Sequence, residues 1–124
     1  MNSPFKNPVG ITHVWHALRY ARDGLQTAWQ HEDAFRQEVL VSAVALPIVW
    51  FCPVDLTGKV LMVLCLLLVL IVELINSALE AAVDHTSLER HPLAKRAKDI
   101  ASAAVLLSIL NASLVWGVLL WHSI

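Results

Sequence analysis

The chain has 124 residues, 57% hydrophobic and 15% charged, with a net charge of −1 and a mean hydropathy of +0.62. That length holds one domain at most, and the composition is too apolar for a soluble core of this size, so the bilayer is the natural solvent and no separate soluble enzyme domain fits. The balanced charge offers no field to hold a polyanion, which excludes nucleic-acid binding.

The first 30 residues carry Lys6, His13, His16, Arg19, Arg22 and Asp23 without a continuous apolar core. They read as mature chain rather than a cleavable signal peptide. Val14, Leu18, Ala21, Leu25, Ala28 and Trp29 recur at spacings of three and four, which predicts an amphipathic helix over about 11–31. Its Trp-containing stripe and basic flanks suit a membrane interface; packing on its own protein is the alternative.

Three apolar blocks follow, Val39–Val54, Val60–Leu79 and Ile100–Trp121. About 20 helical residues cross a hydrocarbon core of roughly 30 Å, so the second and third blocks are long enough to span. The first is shorter and contains Pro47 and Pro53, but membrane helices tolerate an internal proline, and Pro53 marks its end. The expected spans are about 36–54, 60–80 and 98–121, giving an all-α membrane protein with three transmembrane helices and an N-terminal amphipathic surface helix. Lys6, Arg19, Arg22 and Arg36 precede the first span, and Arg90, Lys95, Arg96 and Lys98 lie between the second and third, whereas only Lys59 falls on the opposite side. The positive-inside rule then puts the N-terminus and the charged Asp84–Asp99 loop in the cytoplasm. Cys52 and Cys65 fall inside apolar stretches and read as buried thiols.

Chemistry concentrates on the second span. Glu73, Asn76, Ser77, Glu80 and Asp84 return to one side of a 3.6-residue helix and form a polar stripe on a Leu, Val and Ile surface. Counted from Val60, Glu73 lies roughly 20 Å in and Glu80 about 10 Å further, so the stripe leads from lipid toward water. A carboxylate within a span costs about 3 kcal/mol on insertion scales and usually faces a cavity or partner. A purely structural role, in which Glu73 and Asn76 hydrogen-bond to neighbouring spans, is the competing reading. Lys95, Arg96, Lys98 and Asp99 enter the third span; they suit phosphate binding, or ordinary anchoring with a Lys95–Asp99 helical pair. Glu32, Asp33 and Glu38 flank Arg36 at the same level, where paired oxygens could hold a magnesium ion.

Several common sites are absent from the sequence. Gly10, Gly24, Gly58 and Gly117 form neither a phosphate-binding loop nor a dinucleotide fingerprint, and no soluble-kinase signature occurs. The scattered histidines, including the His13 and His16 pair, lack the further ligands of a zinc site.

The runs Ala34-Phe35-Arg36-Gln37-Glu38, Glu73-Leu74-Ile75-Asn76-Ser77-Ala78 with Glu80-Ala81-Ala82-Val83-Asp84, and Ala97-Lys98-Asp99 with Ser102-Ala103-Ala104-Val105 resemble the prokaryotic diacylglycerol kinases from about Tyr20 to Trp121. The E-x-x-N-S-x-x-E-x-x-x-D and A-K-D patterns are specific in combination. The resemblance implies a bacterial inner-membrane homotrimer, with active sites shared between subunits, that moves the γ-phosphate of ATP, with Mg2+, onto diacylglycerol to give phosphatidic acid. By motif, Glu73 is the general base, Asn76 and Ser102 position the substrate, Glu32 and Glu80 hold the metal and nucleotide, and Lys98 and Asp99 contact the nucleotide. At the start of the surface helix the chain departs from close relatives, carrying His13 and His16 where arginine and lysine are usual, and Asp23 where a lysine is usual. An undecaprenol kinase shares the acidic stripe and is one alternative; a non-enzymatic membrane oligomer using it for packing or proton relay is another.

Overall fold

The computed structural model describes residues 10–86 and 91–124. Lys6 and Arg90, counted above for orientation, lie outside the described residues. Four helices account for nearly all of the described chain: α1 Ile11–His31, α2 Asp33–Phe51, α3 Leu56–Thr86 and α4 Pro92–Ser123, with no strand among the described residues. The last three are long and apolar enough to cross a membrane.

The chain divides into two compact units, the first ending at Glu32 and the second beginning at Asp33. In the first, Gly10 begins α1 at φ 93°, a conformation that costs a glycine little. The helix is amphipathic, and Val14, Leu18 and Leu25 of its apolar stripe are exposed. It stops at Glu32, whose backbone turns extended while its N–H still donates to the Ala28 carbonyl at 2.9 Å.

In the second unit α3 is the central element, packed on α2 along one side and on α4 along the other. Helix α2 continues through Pro47 and ends at Phe51, ahead of Pro53. The tight turn that follows is closed by side chains: Asp55 Oδ1 caps α3 by accepting from the Gly58 N–H at 2.9 Å, and Lys59 Nζ donates to the Trp50 carbonyl at 2.9 Å. Gly58 is required because a Cβ there would collide with the Val54 side chain and press on Asp55 Oδ1 at 3.0 Å. Between α3 and α4 the buried Met62 carbonyl accepts from Trp116 Nε1 at 3.1 Å, and Asn111 Nδ2 approaches Cys65 Sγ at 3.7 Å. These contacts fix the rotation of α4 against α3. On the outer faces Trp50, Phe51, Leu106, Leu107 and Leu114 are exposed, as lipid-facing side chains must be.

The stretch read as an Asp84–Asp99 loop is helical at both ends. Helix α3 runs on to Thr86, and α4 begins at Pro92 behind His91, whose Nδ1 accepts from the Leu93 N–H at 3.1 Å. Proline at the first helical position sacrifices no hydrogen bond, so the charged stretch starts a helix rather than a loop. With 31 residues, α3 rises about 46 Å, roughly 16 Å more than a hydrocarbon core. Its last turns therefore leave the lipid, and Glu80 and Asp84 stand on them.

Candidate active site

The buried face of α3 is Gly58, Met62, Cys65, Val69, Glu73, Asn76 and Ser77. Spacings of three and four place all seven on one stripe, apolar in its first half and polar in its second. The reason for burial changes along it: the first half packs, whereas the second encloses hydrogen-bonding groups. Glu73 is only 4% exposed. One turn on, Asn76 Nδ2 donates to Glu80 Oε1 at 3.2 Å, fixing the amide with its nitrogen toward the water end of the helix. The amide oxygen, Asn76 Oδ1, is buried without a hydrogen-bond partner among the described residues, as are Ser77 Oγ and Glu38 Oε2. Helical hydroxyls elsewhere satisfy themselves against their own backbone: Ser108 on Val105, Ser113 on Ile109 and Ser123 on Leu120. Ser77 does not. A buried polar atom left unpaired costs about 1–3 kcal/mol, so three around one carboxylate mark a place built for a polar guest.

Glu38 is the group the sequence placed least well. Its spacing marks it only as one of several carboxylates suited to a metal; in the structure it projects from α2 near enough to Glu73 for the two carboxyls to repel. It also stands at one end of a groove of about 540 Å³ bounded by Ala34, Gln37 and Ser42 on α2, Leu66 and Val69 on α3, and Ile109, Ser113 and Trp116 on α4. The lining is mostly apolar. Glu73 is not itself among the groove residues, but it stands one turn beyond Val69, which is. A guest with a hydrocarbon body and a hydroxyl head matches that gradient. The signal for Glu38 was a charge six residues into an apolar helix, but a sequence does not say which way such a helix is rotated.

Glu80 is half-buried and Lys98 is 40% exposed, while Asp84 and Asp99 are exposed. Lys98 Nζ is ion-paired with Asp84 Oδ1 across α3 and α4, and Lys95 Nζ with Asp99 Oδ2 at 2.6 Å along α4. The Lys95–Asp99 pair is the helical one anticipated from spacing. Ser102 lies one turn beyond Lys98 on the exposed surface of α4 and is not among the groove residues. Glu32, at the end of α1, is half-buried. The Arg36 guanidinium is ion-paired with Asp33.

Among the described residues no group of three histidine, cysteine or acidic side chains is arranged to hold a metal ion. Glu80 nevertheless fits a role in magnesium binding, because Mg2+ takes hard oxygens, needs only one or two carboxylates, and completes its shell with water and substrate phosphates. Asn76 occupies one oxygen of Glu80 from the protein side and leaves the carboxylate further lone pairs. The arrangement as a whole places a buried carboxylate one turn beyond an apolar groove and, two to three turns further along α3, two acids, the second paired with a cation of α4.

Comparison with known proteins gives a consistent result. Residues 19–120 match the family described as prokaryotic diacylglycerol kinase. The chain is 43% identical to a diacylglycerol kinase of Pseudomonas aeruginosa over 118 residues, covering 95% of this chain and 96% of the relative. It is 44% identical to that of Escherichia coli K12 over 115 residues, covering 93% and 94%, and 44% identical to one from Helicobacter pylori over 108 residues, covering 87% and 84%.

Proposed function

The chain belongs to the prokaryotic diacylglycerol kinase family, and we propose from that premise that it transfers the γ-phosphoryl group of MgATP to the free hydroxyl of diacylglycerol, yielding phosphatidic acid and ADP. It is a lipid kinase. The observation that carries the mechanism is the burial of Glu73 one turn beyond Val69 of the apolar groove, with oxygens of Asn76, Ser77 and Glu38 that have no hydrogen-bond partner among the described residues.

The acceptor's chains lie along the groove, and its hydroxyl stands at Glu73. As the hydroxyl oxygen forms its bond to the γ-phosphorus, its proton passes to the Glu73 carboxylate, and the bond from phosphorus to the bridging oxygen breaks with the electron pair leaving on ADP. A general base in this position contributes about 10²–10⁴-fold. Asn76, anchored on Glu80, and Ser102 position the reacting groups. Glu80 and Glu32 would hold the magnesium, which would supply charge neutralisation at the phosphate oxygens. Lys98 contacts the phosphates as a point charge, and Asp99 orders the site. Phosphoryl transfer is mostly alignment and charge stabilisation, so no dedicated nucleotide fold is needed.

The enzyme is proposed to sit in the bacterial inner membrane with its N-terminus in the cytoplasm, which the one-sided distribution of Arg19, Arg22, Arg36, Lys95, Arg96 and Lys98 against Lys59 supports. A homotrimer with sites shared between subunits is proposed as well. It would cover the lipid-exposed faces in part and could bring further carboxylates to the level of Glu80. The relatives' activity favours diacylglycerol over undecaprenol, and a non-enzymatic oligomer is not favoured.

The test is transfer of labelled phosphate from ATP to diacylglycerol or undecaprenol in mixed micelles. Transfer to diacylglycerol is the expected result; transfer to undecaprenol alone would move the acceptor, and transfer to neither would return the polar stripe to a packing or relay role.

A further inference from the structure

Where α3 and α4 leave the apolar region, their charged side chains are paired with one another rather than left open. Asp84 stands one turn beyond Glu80 on α3, and its carboxylate is ion-paired with the Lys98 ammonium on α4. Lys95, one turn earlier on α4, is committed to Asp99 on its own helix. The Lys98–Asp84 pair is thus the ion pair joining the two helices among the described residues. It is open to solvent, with the lysine side chain 40% and the aspartate 61% exposed. Lys98 also stands within electrostatic reach of Glu80.

We propose that Asp84 is a resident counter-anion that occupies the phosphate position on Lys98 and thereby sets how much MgATP the enzyme needs. The inference rests on the reading of Lys98 as a phosphate contact. Three features carry it. A lysine ammonium is a compact charge with three donors and takes a carboxylate oxygen or a phosphate oxygen in the same way. Asp84 holds that ammonium one turn beyond Glu80 and within its electrostatic reach, so the cation is already near the acid assigned to the metal before any nucleotide arrives. And a solvent-exposed ion pair is weak, so a nucleotide with several phosphate oxygens can displace the carboxylate without rearranging either helix. Asp84 is therefore a residue that tunes nucleotide affinity; it takes no part in bond making.

Displacing a weak pair costs little but not nothing. Asp84→Asn keeps the shape of the side chain and removes its charge, so Lys98 meets the nucleotide unpaired. The expected result is a fall of about two- to fivefold in KM for MgATP, the range an exposed pair supports, with the gain in KM and not in kcat, and an equal fall in the Kd of MgATP measured by titration of the folded protein. A second background separates a direct pair from general repulsion between Asp84 and phosphate. In Lys98→Gln the Asp84→Asn change is expected to do nothing further, because double-mutant cycles report coupling only where the two groups interact.

Three results would overturn the proposal. One is a KM that is unchanged or raised in Asp84→Asn with circular dichroism and size-exclusion profiles like the parent's. Another is a fall in KM of the same size in both backgrounds, which assigns the effect to long-range charge. The third is Lys98→Gln with an unaltered MgATP affinity, which removes the phosphate role of Lys98 itself and the inference with it. The first two leave that role standing.

Discussion

Replacing Glu73 with glutamine separates catalysis from folding more cleanly than any other single change. The side chain is 4% exposed and lies in the membrane-spanning part of α3. Glutamine fills the same volume and can still hydrogen-bond, but it cannot take up the acceptor's proton. Loss of a positioned general base costs about 10²–10⁴-fold in kcat, equivalent to about 3–5 kcal/mol of transition-state stabilisation. Stability moves the other way or not at all. A carboxylate at span depth carries a cost of about 3 kcal/mol on insertion scales, and Glu73 also faces Glu38 across the helix contact. The neutral side chain relieves both burdens, so the unfolding midpoint in detergent should equal or exceed that of the parent. The assay pairs labelled phosphate transfer to diacylglycerol, at saturating MgATP, with thermal unfolding of the same preparation. Retention of more than a tenth of the parent turnover would refute the assignment of Glu73 as base. Loss of activity together with loss of folding would instead make Glu73 a packing residue.

Three further substitutions probe the framework around it. Gly58→Ala forces a Cβ onto Val54 and Asp55 Oδ1 at the start of α3; the strain should outweigh the gain in helix propensity of about 1 kcal/mol and leave a net loss of about 1–2 kcal/mol, read by unfolding in detergent, whereas a raised midpoint would show that the turn relaxes freely. Trp116→Phe removes the indole N–H that bonds the Met62 carbonyl at 3.1 Å; interhelical hydrogen bonds in membranes average about 0.6 kcal/mol, and a loss of roughly that size is expected, with the largest effect on KM for the lipid because Trp116 also lines the groove. Ser77→Ala deletes a buried hydroxyl that has no partner among the described residues, so stability should hold or rise; a fall of more than about 1 kcal/mol would mean that the hydroxyl is satisfied elsewhere in the assembled protein.

What the sequence made legible was whatever depends on periodicity along a single helix. Three apolar runs of spanning length, the amphipathic stripe of α1, and the recurrence of Glu73, Asn76, Ser77 and Glu80 on one side of α3 are all properties of one chain direction, and spacing resolves them. So is the Lys95–Asp99 pair, four residues apart. What depends on two helices at once was not legible. Helix α2 is apolar nearly all the way round, so nothing in its pattern says that Glu38 turns toward Glu73, or that Gln37 and Ser42 face the same groove as Trp116. The Asp84–Lys98 contact crosses from one helix to the next for the same reason. The ends of α3 and α4 were obscured differently. Hydropathy marks where lipid stops, but Glu80-Ala81-Ala82-Val83-Asp84 is a good helical sequence in water too, and His91-Pro92 supplies the start of α4.

That difference between where the lipid stops and where the helix stops explains how so short a chain could hold a two-substrate site. A lipid hydroxyl and a nucleotide phosphate meet only at the boundary between hydrocarbon and water, and each requires protein groups on its own side. A helix that ended with its apolar run would offer groups on the lipid side alone, and a loop in place of its last turns would lose the register between the two. Because α3 continues without a break to Thr86, its 3.6-residue repeat carries one face from Val69 in the groove, through buried Glu73 and Asn76, to Glu80 and Asp84 beyond the lipid. The Asn76–Glu80 hydrogen bond couples the two halves directly. In the proposed mechanism, register along this one continuous helix takes the place of the alignment that a nucleotide-binding domain would supply. A helix-breaking change between Asn76 and Glu80, such as Ala78→Pro, should therefore uncouple lipid from nucleotide, abolishing transfer while the three apolar helices still insert.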